Sequence, residues 1–235
     1  MPERPNLVLL PGMLCDAGLF AHQAEHLSEL ADVSVGDLTR DDSIAGMART
    51  VLDAAPGRFS LAGLSLGGIV AMEIMRQEPE RVERLALLDT SPLPPRPDQL
   101  ETWDGFEEMT KSGRFMEVTR ERLMPALIHP DRRHEAALTD AVERMAVNVG
   151  EDAFVRQLSA QRGRPDSRED LARIECPTVV LCGRDDALCP YPLHGEMAHV
   201  ILGAALVPIE GCGHLSSLER PEAVTAVLGY WIQRG

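Results

Sequence analysis

The chain is 235 residues long, enough for one large domain or two small ones. Its 23 basic against 37 acidic residues leave a formal charge of −14, which disfavours non-specific binding to DNA, RNA or anionic lipid. Apolar residues at 44% and charged residues at 26% match a globular domain and exclude collagen-like, coiled-coil and disordered classes.

Asn6-Leu-Val-Leu-Leu10 is a short apolar run stopped by Pro11-Gly12, which predicts a buried strand. Over 17–30, Leu19, Phe20, Leu27 and Leu30 fall on roughly one face and predict a helix. Alternation over 31–35 predicts a second strand. Residues 42–55 predict a helix capped by Asp41, Asp42 or Ser43 and ended by Pro56-Gly57. A strand over 59–64, a helix over 66–77 stopped near Pro79, and a strand within 82–89 follow. After a helix-poor stretch at 91–97, residues 98–174 carry helical patterning and no strand. The strand pattern resumes over 177–182. A helix over 191–202, a strand over 204–209 and a helix over 221–233, with Pro221 in its first turn, complete the chain.

Strands separated by helices predict an α/β fold with a mostly parallel central sheet. Residues 1–90 and 176–235 are read as its core. Residues 91–175 are read as a helical cap inserted over the carboxyl ends of the strands, where ligands of open α/β sheets bind. No stretch approaches the ~18 consecutive apolar residues of a membrane helix, and Met1-Pro-Glu-Arg-Pro does not open a signal peptide. The five cysteines (Cys15, Cys176, Cys182, Cys189, Cys212) are odd in number, irregular in spacing and free of any C-x-x-C pair. Neither a disulfide framework nor a zinc knuckle is expected, and a reducing cytoplasm is.

The segment carrying chemistry is Gly63-Leu-Ser65-Leu-Gly67, a G-x-S-x-G motif between a predicted strand and a predicted helix. A serine on such a turn sits in strained backbone, and small residues two before and two after it keep side chains out of the way. A serine hydroxyl is a poor nucleophile without a general base and a group that orients the base. Gly211-Cys-Gly213-His214, after the last strand, is a tight turn able to swing an imidazole back over the sheet. Gly183-Arg-Asp185-Asp186 follows the preceding strand and supplies acids. The resulting order, Ser65, Asp186, His214, is one of the known triad orders.

On Leu10-Pro-Gly-Met13, Gly63-Leu-Ser-Leu-Gly-Gly68, Gly183-Arg-Asp-Asp186 with Pro190, and Gly211-Cys-Gly-His214 with Pro221, the chain resembles the α/β-hydrolase fold superfamily. Within it, the similarity is to small capped carboxylic-ester hydrolases of the enol-lactonase and methyl-ester esterase kind. The resemblance implies Ser65 as nucleophile, His214 as base, and Asp186, the fourth residue of the G-x-x-D turn, as acid. Asp185 and Asp89 stay open as alternative acids, because some relatives carry the acid after the strand that follows the elbow helix. It further implies an oxyanion hole from the backbone N–H groups of Leu66 and Met13. Pro11 stands where the family usually has a histidine bracing that loop. No cofactor and no metal are expected.

His22-Gln-Ala-Glu25-His26 matches H-x-x-E-H, but no further acidic ligand is singled out, and it is read as part of a surface helix. His129, His134, His194 and His199 lack a motif and are read as surface or cap residues. Cys15 and Cys212 flank the candidate site and are read as small buried hydrophobes. Residues 91–175 hold 13 of the 23 basic and 17 of the 37 acidic residues, so the cap is less acidic than the rest. An acidic substrate or an acyl-carrier partner would suit that balance, but solvated helix faces are the preferred reading. Trp103, Phe106, Phe115, Met109, Met116, Leu123 and Met124 serve equally as acyl-pocket lining or helix packing. The expected activity is cleavage of a small or medium carboxylic ester, lactone or activated acyl group. Acyl transfer, hydroxynitrile cleavage, perhydrolysis and a receptor role with little turnover are the alternatives.

Overall fold

The computed structural model describes residues 4–233. Six strands form one parallel sheet: β1 (Asn6–Leu10), β2 (Asp32–Val35), β3 (Phe59–Leu64), β4 (Val82–Leu88), β5 (Thr178–Gly183) and β6 (Ala205–Ile209), in the order β2-β1-β3-β4-β5-β6. Side chains alternate across a strand, so each strand feeds two cores. Leu7 and Leu9 pack on one face of the sheet with Phe20, Leu27, Val224 and Leu228. Val8 and Leu10 pack on the other with Val51, Val70 and Met197. In the interior strands β3 and β5 every residue is buried, which is why both carry continuous apolar runs after their first residues. Each fully buried leucine, such as Leu61 or Leu85, contributes about 1.5–3 kcal/mol through burial.

The helices around the sheet follow their sequence signals closely. Helix α1 (Ala21–Leu27) is shorter than the predicted 17–30. The Asp16 carboxylate accepts from Gly18 N–H and tightens Ala17–Phe20 into a 3-10 turn. Helix α2 (Ile44–Ala54) is capped by Ser43, whose hydroxyl accepts from Gly46 N–H. Helix α3 (Leu66–Gln77) starts directly after the serine of the G-x-S-x-G motif. Between β4 and β5 the chain is helical and carries no strand, beginning with α4 (Pro97–Lys111) and including Ala136–Val149 and Glu151–Arg162. Trp103, Phe106, Val118, Phe154 and Leu158 form a third apolar cluster inside this insertion. The helix Tyr191–Val200 and the closing helix Pro221–Gln233 flank β5 and β6. The short helix Ser216–Glu219 has no counterpart in the sequence reading.

The strand order positions a crevice. From β1 the chain leaves toward β2, whereas from β3 it leaves through α3 toward β4. The loops after β1 and β3 therefore diverge, and a cleft opens at the carboxyl ends of these neighbouring strands.

Candidate active site

Ser65 stands at the mouth of that crevice with φ 55° and ψ −114°. This left-handed backbone is costly for a residue with a Cβ and persists only where its surroundings enforce it. Here Ser65 N–H donates to Leu88 O, and its carbonyl accepts from Gly68 N–H, Ile69 N–H and Thr90 Oγ1. The turn is so tight that a Cβ at Gly63 would lie 2.2 Å from Gly67 O.

His214 reaches this serine from the loop that follows β6. Its Nε2 lies 2.9 Å from Ser65 Oγ, and its Nδ1 lies 2.8 Å from Asp186 Oδ2. The other Asp186 oxygen accepts from Leu188 and Cys189 N–H at 2.8 and 2.9 Å, so the carboxylate is fixed by three hydrogen bonds. A carboxylate facing Nδ1 makes that nitrogen the proton carrier and leaves Nε2 with a lone pair toward the hydroxyl. Burial lowers the His214 pKa, but the charge and hydrogen bond of Asp186, with smaller contributions from Asp89 and Glu219, outweigh it and leave the pKa raised above 6.5. Asp185 points elsewhere, its carboxylate 3.4 Å from His129 Nε2.

Asp89, the other candidate acid, is fully buried beneath this pair. It accepts from Gly183 N–H and from the Ser216 hydroxyl rather than meeting His214. Burial and the neighbouring Asp186 charge push its pKa up to about 8. Its place joins the end of β5 to the segment that follows His214.

Pro11-Gly12-Met13 presses against the serine, since a Cβ at Gly12 would sit 3.5 Å from Ser65 Cβ. Met13 and Leu66, the expected oxyanion donors, thus lie on the two segments that flank Ser65. Gln157 of the insertion ties this loop down: Leu14 N–H donates to Gln157 Oε1, and Gln157 Nε2 donates to Leu38 O.

Two further residues, Glu219 and His194, take places that the sequence did not indicate. Glu219, buried, accepts from Gly213 and His129 N–H and so clamps the histidine loop to the insertion. His214 N–H itself donates to Leu127 O. His194, expected at the surface or in the cap, is instead fully buried on the helix Tyr191–Val200. Its Nε2 accepts from Thr90 N–H, and burial lowers its pKa to about 4, so it stays neutral while bracing the residue that holds the Ser65 carbonyl.

Cys15 and Cys212 are buried, and desolvation raises both thiols, Cys15 to about 12. Asp186, Cys189 and His214 bring ligand-type atoms within 4.8 Å of one another. Burial and the Asp186 charge hold the Cys189 thiol well above its usual range, and Asp186 and His214 already engage each other. His22 and His26 stack ring on ring on α1, with their Nδ1 atoms engaged by Thr225 Oγ1 and His22 O.

Ser65 and His214 open into a cavity of about 610 Å³. Its walls come from the sheet loops (Met13, Thr90, Cys189) and from the insertion (Trp103, Phe106, Leu123, Arg164). Two surface depressions, one beside β2 and α2 and one beside α1 and the helix Ala136–Val149, lie away from these residues and lack a nucleophile–base pair.

A parallel sheet with a serine elbow beneath such a cavity defines the class of α/β-fold hydrolytic enzymes. Residues 7–227 match the model of the alpha/beta hydrolase family, and the chain belongs to that family. A pimeloyl-(acyl-carrier protein) methyl ester esterase from Nitrosomonas europaea is 30% identical over 234 residues, covering 93% of this chain and 92% of its own. A thermophilic esterase from Thermogutta terrifontis, solved with malate bound, is similar with a TM-score of 0.89 and 25% identity over 99% of this chain and 90% of that one. The enol-lactonase from Burkholderia xenovorans shares the fold with a TM-score of 0.86 at 20% identity, over 99% and 92% of the two chains. These relatives support an enzyme of esterase type. Among the described residues no helix is long and apolar enough to cross a membrane.

Proposed function

We propose that the protein is a serine hydrolase of small or medium carboxylic esters, working through Ser65, His214 and Asp186. The observation that carries this reading is the hydrogen-bonded chain from Ser65 Oγ through His214 to Asp186 at the floor of a cavity. Ser65 Oγ attacks the ester carbonyl while His214 Nε2 takes its proton, and the C=O pair becomes an oxyanion facing the Leu66 and Met13 N–H groups. As the carbonyl re-forms, the C–O bond to the alcohol breaks and His214 returns the proton to the leaving oxygen. Water repeats the sequence on the acyl-enzyme and releases the free acid. Asp186 holds the imidazole in register and stabilises the imidazolium. No cofactor takes part in these steps. A fluorophosphonate probe tests the reading: a covalent adduct mapped to Ser65 is expected, and an unlabelled Ser65 would overturn it.

Residues 91–175 act in this reading as a cap that excludes water and shapes the acyl pocket. Trp103 and Phe106 both line the cavity and pack in the insertion's own cluster. Replacing either with alanine is expected to re-rank a panel of esters by about 1–3 kcal/mol per altered contact. An unchanged ranking would move specificity to the sheet loops.

The relative from N. europaea is named for an acyl group held on a carrier protein. For this chain the substrate is read as a small-molecule ester, and the five free cysteines fit a reducing cytoplasm.

The pH dependence follows from His214. Only the neutral imidazole accepts the serine proton, so activity is lost below the His214 pKa and gained above it. That pKa is raised, chiefly by Asp186 against the opposing effect of burial. kcat/KM is therefore expected to rise with pH through a midpoint above 6.5, and a midpoint below this value would contradict the geometry.

A further inference from the structure

The cavity holds a buried positive charge that the reaction above does not use. Arg164, 8% exposed, follows the helix Glu151–Arg162 and lines the same cavity as Ser65 and His214. Its guanidinium makes four hydrogen bonds, all to neutral oxygens: Leu93 O, Pro94 O, Gln99 Oε1 and Gln161 Oε1. Among the described residues one of its five N–H donors, at Nη1, has no acceptor, and the guanidinium carbon lies 5.4 Å from the centroid of the Trp103 ring.

No carboxylate of a described residue pairs with Arg164. The nearby Arg96 is answered by Asp98, with both guanidinium-to-carboxylate bonds at 3.0 Å. Arg96 adds a like charge beside Arg164, and this charge and burial both bear against the charged form of Arg164. A buried ion without a counter-ion is expensive, and proteins keep one where a ligand supplies the missing charge. The fixed fork of a guanidinium matches a carboxylate or a phosphate and gives nothing comparable to an ester or amide.

We propose that Arg164 receives an anionic group at the end of the acyl substrate remote from the scissile bond, so that the protein prefers a dicarboxylic half-ester to a neutral ester of equal length. This inference rests on the hydrolase reading above. It makes Arg164 the specificity determinant at the wall of the cavity, opposite in character to the apolar Trp103 and Phe106.

Monomethyl and dimethyl esters of glutaric and adipic acid test it directly. The wild-type protein is expected to favour the half-ester by about tenfold or more in kcat/KM, the range of a charge-assisted hydrogen bond. Arg164→Gln should lower half-ester kcat/KM about tenfold more than that of the diester, and Arg164→Lys should restore part of the preference. A purely structural arginine would lower both esters alike. Should Arg164→Gln fail to fold, the wild-type ratio decides, and equal or better cleavage of the diester overturns the proposal. Calorimetry on the Ser65→Ala protein reads binding without turnover: tighter binding of the half-ester supports the proposal and equal binding refutes it. That arm stands even if no ester is hydrolysed, an outcome that would count against the hydrolase reading alone. A matched methyl ester ending in a phosphate monoester distinguishes the two anion sources, since tighter binding than the half-ester assigns the site to phosphate.

Discussion

Replacing Ser65 with alanine is expected to lower ester turnover at least about 10³-fold while leaving the melting temperature within about 2 °C of wild type. The change removes one oxygen, the atom 2.9 Å from His214 Nε2. Everything that holds the elbow in place is backbone or belongs to other residues: Ser65 N–H to Leu88 O, and Gly68 N–H, Ile69 N–H and Thr90 Oγ1 to the Ser65 carbonyl. Alanine keeps the Cβ and so keeps the strain of φ 55° unchanged. The cavity also survives, because its walls come from segments that do not depend on the hydroxyl. Loss of a nucleophile that works as a unit with its base removes nearly the whole contribution of that unit. Turnover within about tenfold of wild type would sink the assignment of Ser65. A large fall in melting temperature would show that the hydroxyl also holds the turn.

What could be read from the sequence was whatever chemistry and geometry compress into a few adjacent residues. The elbow was legible because Gly63 and Gly67 are required by contacts within the turn and just beneath it. The strands were legible because a sheet covered on both faces demands runs such as Leu61-Ala-Gly-Leu64 and Val179-Val-Leu-Cys182. Asp186 could be preferred over Asp185 only through the resemblance to a known turn. In the structure the two neighbours point apart, Asp186 to His214 and Asp185 to His129. The roles that escaped notice act over long sequence separations. Gln157 holds Leu14 across 143 positions, Asp89 reaches Gly183 across 94, and His194 braces Thr90 across 104. Arg164 looked like one of thirteen basic residues on solvated helix faces, because nothing local distinguishes a buried arginine from an exposed one. Its difference lies in the carbonyl oxygens that surround it and in the lack of a carboxylate partner among the described residues.

The contrast between local and long-range constraint yields the second large effect. A Cβ at Gly67 would lie 2.0 Å from Leu10 O, 2.5 Å from Leu10 C and 2.8 Å from Leu10 Cβ. The two closest are backbone atoms of a central strand, so no side-chain rotation relieves the clash, and α3 must move away from β1. Gly67→Ala is expected to cost about 3 kcal/mol of stability, the upper part of the range for overpacking. Activity should fall further than stability alone explains, by at least about 10²-fold at temperatures where the variant is folded. The reason is position: Ser65 and Leu66 immediately precede Gly67, and Met13 follows Leu10 by three residues, so the same displacement pulls the nucleophile and both proposed oxyanion donors out of register. Gly105 supplies the control. It sits exposed in the interior of α4, where an added methyl group would meet nothing within 4 Å, and Gly105→Ala should stabilise the protein by about 0.5–1 kcal/mol through helix propensity. Urea unfolding of the two variants, read beside their ester turnover, separates the cases. If Gly67→Ala unfolded at the wild-type urea concentration and kept wild-type turnover, α3 and β1 would have to be free to part at the elbow, and the close approach of Gly67 to Leu10 could not be what aligns the serine with its proposed oxyanion donors.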